Sequence, residues 1–77
     1  MKYCPTQTAI RLRHLREKRR ITIKEAAYDL QVSIKTLHKY ETRGASGREF
    51  LAFVGRAISY YETSSDFVLY GILSTLR

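Results

Sequence analysis

Residues 22–40 read Thr22-Ile23-Lys24-Glu25-Ala26-Ala27-Tyr28-Asp29-Leu30-Gln31-Val32-Ser33-Ile34-Lys35-Thr36-Leu37-His38-Lys39-Tyr40. Two helix starts lie close together in this stretch. Thr22 followed three residues later by Glu25 is a capping box, in which each side chain satisfies the other's backbone amide. Behind it Ile23, Ala26, Ala27 and Leu30 recur at i, i+3, i+4 and i+7, one narrow apolar stripe ending near Leu30. Gln31 and Val32 make a brief turn, and Ser33 is a good N-cap for a second helix reaching about Tyr40. Wound as a helix, that segment puts Ser33, Thr36, Leu37 and Tyr40 on one side. Ile34, Lys35, His38 and Lys39 fall on the other.

Two short helices joined by so tight a turn outline a helix-turn-helix. Ala27 is small where the two helices must cross, and Val32, Leu37 and Tyr40 can pin the second helix to a body. Its outer side is then free to enter a DNA major groove.

Helix signals continue in both directions, with no strand or hairpin pattern, repeat or low-complexity segment. A first helix is expected over about Thr6 to Arg19, with Pro5 ahead of it and Ala9, Ile10, Leu12 and Leu15 on its apolar side. Its cluster Arg11, Arg13, Arg16, Lys18, Arg19 and Arg20 reads mainly as a solvated face, some of which can reach phosphate. After Tyr40 comes a loop, Glu41 to Ala45, pivoting on Gly44. Ser46 and Glu49 form a second capping-box pattern that opens a fourth helix with Phe50, Leu51, Val54 and Ile58 apolar. The pattern breaks over Tyr61 to Ser64. Ser64 or Ser65 can cap a fifth helix carrying Phe67, Val68, Leu69, Ile72, Leu73 and Leu76. The expected fold is all-α with five helices, a single DNA-binding domain over residues 1–77.

Composition narrows the function classes. Seventy-seven residues suit one domain with a modest core. The formal charge is +7, concentrated between Lys2 and Arg56, and such an excess attracts polyanions through counterion release. No segment approaches the roughly 18 apolar residues of a membrane span, and Met1 to Pro5 lacks a secretory apolar run. A cytoplasmic location, without membrane association, is the expectation. The lone Cys4 closes no internal disulfide. His14, His38 and Cys4 lack metal-ligand spacing, and no nucleophile–base pair or phosphate loop is visible. No catalytic residue, cofactor or metal is therefore expected, and the chain is not read as an enzyme.

In order and spacing, Ile21-Thr22-Ile23-Lys24-Glu25-Ala26-Ala27, Leu30-Gln31-Val32-Ser33, Leu37 and Tyr40-Glu41 resemble the helix-turn-helix family of phage Cro and CI repressors and their bacterial relatives. Leu12 to Glu17 looks like that family's first helix, and Ser64 to Gly71 like its last. The resemblance spans about residues 8 to 71 and implies a five-helix, lambda-repressor-like domain with its helix-turn-helix at about 22–41. It implies roles as well. Arg16 and Glu41 match a partly buried structural ion pair. Thr22, Ser33, Thr36, Thr42, Arg43 and Arg48 match positions on the DNA backbone, and Ile34, Lys35, His38 and Lys39 match those that look at bases. Ile23 and Ile34 stand where such repressors often carry glutamine. They either form an apolar readout pair for a thymine methyl or simply pack together. Arg20 and Gln31 stand where the family favours glycine in a left-handed turn, at a strain cost of about 1 kcal/mol each. The Glu41 to Gly44 loop is one residue longer than the family's.

The expected activity is sequence-specific binding to double-stranded DNA as a Cro-like repressor of a prokaryotic cell or phage, acting on a near-palindromic operator. One short helix reads few base pairs, so a homodimer is expected. Its interface would lie within about 64–77, on Phe67, Tyr70, Ile72, Leu73 and Leu76, with Tyr60 and Tyr61 as further contributors. The alternative reading is an antitoxin that also represses its own operon, with a toxin as partner.

Overall fold

The computed structural model describes residues 4–45 and 47–71, except the side chains of Ser65 and Asp66. Its elements are five helices, α1 (Pro5–Lys18), α2 (Ile23–Asp29), α3 (Ile34–Thr42), α4 (Arg48–Tyr61) and α5 (Ser65–Tyr70). The all-α, five-helix expectation holds. α1 runs through the middle, with α3 on one flank and α5 on the other; α2 packs on α3, and α4 closes against α5. Leu12, Leu15, Ala26, Ala27, Leu30, Leu37, Phe50, Phe53, Val54, Ala57, Tyr61 and Val68 form one buried cluster. Tyr40 closes it with ring centroids 5.0 Å from Phe50 and 4.7 Å from Phe53, which seats the end of α3 on α4.

The helix starts follow their caps, with one exception. Thr22 Oγ1 accepts from the Glu25 amide at 3.1 Å while Glu25 Oε1 accepts from the Thr22 amide at 3.0 Å, so the first capping box forms. Ser33 Oγ accepts from the Thr36 amide, and Ser64 Oγ from that of Phe67. Pro5 is the first residue of α1 rather than the one ahead of it, a position where its missing N–H has no helical partner to lose. The second capping box rests on Ser46. α4 starts at Arg48 with Gly47 at its N-cap and no side-chain cap, and Ser46 lies outside the described residues.

Other differences concern which residues face inward. Ile10 and Leu51 are exposed, at 52% and 42%, because the inward faces of α1 and α4 are centred on other residues: Thr8, Ala9, Leu12 and Leu15, and Phe50, Phe53, Val54, Ala57 and Tyr61. Tyr61 is fully buried, so it is a core residue and not a surface for a partner. α3 runs two residues past Tyr40, through Thr42, whose hydroxyl donates to the His38 carbonyl. The extra residue of the Glu41–Gly44 segment is absorbed as helix, and what was expected as loop carries Glu41 and Thr42 on a rigid element.

A left-handed residue follows each helix: Arg20 (φ 57°), Gln31 (φ 61°), Gly44 (φ 70°), Glu62 (φ 55°) and Gly71 (φ 74°). At three of these joints the next amide reaches back over the turn, Ile21 to Arg16, Val32 to Ala27 and Thr63 to Ile58, satisfying a terminal carbonyl. The strain expected at Arg20 and Gln31 is present, and Glu62 adds a third instance. Gly44 is buried, and a Cβ there would overlap the backbone carbonyl of Pro5. No other residue type fits.

Polar ties complete the frame. Arg16 Nε lies 3.0 and 2.9 Å from the two carboxylate oxygens of Glu41, and its Nη1 donates to the Ile21 carbonyl at 2.8 Å. Glu41 is 5% exposed. Burial alone would lower the Arg16 pKa, but the hydrogen bond and charge of Glu41 outweigh it and leave the value raised. The Tyr60 hydroxyl donates to Asp29 Oδ2 at 2.7 Å, joining the ends of α4 and α2. Burial, then that bond and the charges of Asp29 and Glu25, push its pKa up to about 12.

Gln31→Gly should raise the unfolding free energy by about 1 kcal/mol, whereas Gly44→Ala should lower it by about 2 kcal/mol or more, read from urea denaturation. Glu41→Ala strands the Arg16 charge and should cost about 3 kcal/mol, with Glu41→Gln costing less because one acceptor survives. Because Tyr60 holds its proton more tightly when folded, its contribution is intact below its ordinary pKa of 10.0 and is lost as pH rises through about 12. Thermal melts across that window should fall less steeply for Tyr60→Phe than for the parent chain.

Candidate nucleic-acid interface

α3 divides its residues sharply. Leu37, Tyr40 and Glu41 are buried, held by the core and by Arg16. Ile34, Lys35, His38, Lys39, Thr42 and Arg43 are exposed. Nine residues make a rod about 14 Å long, comparable with the roughly 12 Å width of a DNA major groove. Ile34 is 50% exposed at the first turn, and Lys39 Nζ lies 5.6 Å from the ring of Tyr40. A shallow depression of ≈ 370 Å³ runs along this side among Lys35, Thr36, His38, Lys39, Thr42 and Arg43.

The hydroxyls expected to meet phosphate are not equivalent. Thr22 donates to Glu25 Oε1 at 3.1 Å, which both occupies its proton and sets a carboxylate beside it. Ser33 donates to Thr36 Oγ1 at 2.9 Å. Thr36 is thus an acceptor in that bond, and its own proton is left to give to an anion. Thr42 donates to the His38 carbonyl and must rotate to serve a phosphate. Arg43 at the end of α3 and Arg48 at the start of α4 are both exposed on either side of the joint.

The two isoleucines occupy different surroundings. Ile23 is half-buried and packs on the core, whereas Ile34 stands in solvent. Ile23 also lines a small cleft of ≈ 140 Å³ with Arg13, Arg16, His38, Glu41 and Thr42, where α1, α2 and α3 converge. Arg13 is the residue that reading the sequence left in the general basic cluster. Its Nε donates to Glu17 at 3.0 Å, but both side chains are more than half exposed, so the pair is weak and readily exchanged for another anion. Its placement three residues before Arg16 was the available signal, since i and i+3 share a helix face.

The rest of the expected set falls elsewhere. Phe67 and Tyr70 are half-buried, Phe67 packing against the core, and Ile72, Leu73 and Leu76 lie outside the described residues. Among the described residues no helix is long and apolar enough to cross a membrane, and no group of three metal-binding side chains comes together.

Comparison with known proteins agrees with this geometry. No curated protein and no solved structure matches the chain. One family model does, that of a helix-turn-helix domain, over residues 7–67. With α2 and α3 meeting at the Gln31 turn and α3 turned outward, the chain belongs to the helix-turn-helix domain family of DNA-binding proteins.

Proposed function

We propose that the chain is a Cro-like transcriptional repressor of a prokaryotic cell or phage, binding a near-palindromic operator in double-stranded DNA as a homodimer and carrying out no catalysis. One observation carries the reading. The helix that the body grips through Leu37, Tyr40 and Glu41 presents Ile34, Lys35, His38 and Lys39 to solvent on its opposite side.

Lys35 and Lys39 suit guanine O6 and N7, and His38 suits a guanine acceptor or a base amino group. Ile34 offers an apolar surface for a thymine methyl, while Ile23, the other member of the expected pair, is half-buried and packs on the core. Arg43, Arg48, Thr36 and Arg13 suit phosphates on the two sides of α3, contacts that set register and carry little sequence information. Thr22, Ser33 and Thr42 are weaker backbone donors, because their protons already serve the protein. Dimerisation is assigned to the C-terminal segment from about residue 64, since one such helix reads too few base pairs to find an operator alone.

Selection from randomised duplexes, followed by titration at two salt concentrations, tests this. The expected product is a pair of half-sites about 10 base pairs apart. Lys35→Ala and Ile34→Ala should each relax preference at one position by about 1–3 kcal/mol. Arg43→Gln should weaken all duplexes alike and lower the salt slope by about one phosphate. Equal affinity for every duplex at both salt concentrations would sink the reading.

A further inference from the structure

Arg13 stands between two depressions on the α3 side of α1. The cleft of ≈ 140 Å³ that it lines with His38 and Thr42 opens where α1, α2 and α3 converge. His38 also lines the depression along the outward side of α3, so the cleft adjoins the proposed DNA surface. A wider depression of ≈ 330 Å³ joins Arg13 to Ile10, His14 and Glu17. Glu17 lines this second depression and not the cleft.

Glu17 is the sole carboxylate of α1, and the helix itself gives no reason for it. It lies in the last turn, where the helix dipole disfavours an anion. Its partner Arg13 precedes it by four residues, and cation before anion is the less favourable order for such a pair. The Arg13 Nε donates to Glu17 Oε2 at 3.0 Å, yet the two side chains are 61% and 53% exposed, so the pair adds little to the fold. The reach of Glu17 extends further. Burial lowers the Arg16 pKa and Glu41 raises it, and the charges of Tyr61 and Glu17 add to the rise.

Resting on the reading of α3 as the DNA-facing helix, we propose that Glu17 limits the affinity for DNA. Its carboxylate occupies Arg13 in the free protein, in the role that a backbone phosphate takes in the complex. Carboxylate and phosphate oxygens offer a guanidinium the same kind of acceptor. DNA binding therefore exchanges one ion pair for another, and the loss of the old contact offsets part of the new. The released carboxylate is then an unpaired negative charge close to the polyanion, which repels it. Both effects have the same sign. The chain holds its DNA less tightly than a charge of +7 allows.

A double-mutant cycle of Arg13→Gln and Glu17→Gln tests this on the selected duplex, with Lys35→Ala as the control for α3 itself. Glu17→Gln should bind about threefold more tightly at low salt, and the gain should shrink as salt rises. Arg13→Gln should bind more weakly and take about one phosphate from the salt slope. Added to Arg13→Gln, the Glu17→Gln change should gain less than in the parent chain, because no guanidinium remains to be released. The Arg13 Nε–H resonance should move when duplex is added to the parent chain. In free Glu17→Gln it should already be displaced. Equal or weaker binding by Glu17→Gln overturns the proposal, as does an equal gain with and without Arg13. If Lys35→Ala weakens binding while the Arg13 and Glu17 variants leave it unchanged, the exchange is wrong and the reading of α3 stands. If Lys35→Ala changes nothing, or the parent chain selects no duplex, both fall.

Discussion

The guanidinium of Arg16 joins three pieces of the molecule that must stay in register. It belongs to α1, reaches Glu41 near the end of α3, and holds the Ile21 carbonyl just ahead of α2. Glu41 is taken out of water by this arrangement, and a buried carboxylate is tolerable only while such a partner is in place. The bridge thus ties the angle of α3 to the position of α1. Every property of the outward side of α3 depends on that angle, because a rotation of about 100° would exchange Leu37 for Thr36 or His38.

The joints show the same economy. A left-handed residue after each helix allows sharp turns with few loop residues, and only two of the five are glycine. Arg20, Gln31 and Glu62 accept backbone strain there, and the reach-back amides of Ile21, Val32 and Thr63 offset part of it. Short joints leave α2 and α3 little freedom to separate. A recognition helix benefits from that rigidity, since base contacts require placement to within a fraction of a hydrogen-bond length.

The arginines of α1 show how far one basic cluster can be divided. Arg11 donates to the Val68 carbonyl at 3.3 Å and secures α5. Arg13 lies beside His38 on the α3 side, Arg16 is structural, and Arg19 covers Tyr61. Four side chains of one type, three along the helix and one at its C-cap, meet four different surroundings. A net charge describes their sum and says nothing of this division.

Residue order alone was enough for the helix-turn-helix and for the exposed row Ile34, Lys35, His38 and Lys39, because capping and the 3.6-residue period are local effects. It was enough too for the pairing of Arg16 with Glu41, though only through resemblance. Tertiary packing decided what periodicity leaves open. Ile10 and Leu51 face outward, Tyr61 is buried, α3 extends through Thr42, and Gly47 displaces the expected cap of α4. Each of these depends on which neighbour fills the adjacent space. A helix's own period defines its possible faces, but the bodies packed around it choose the one that loses water.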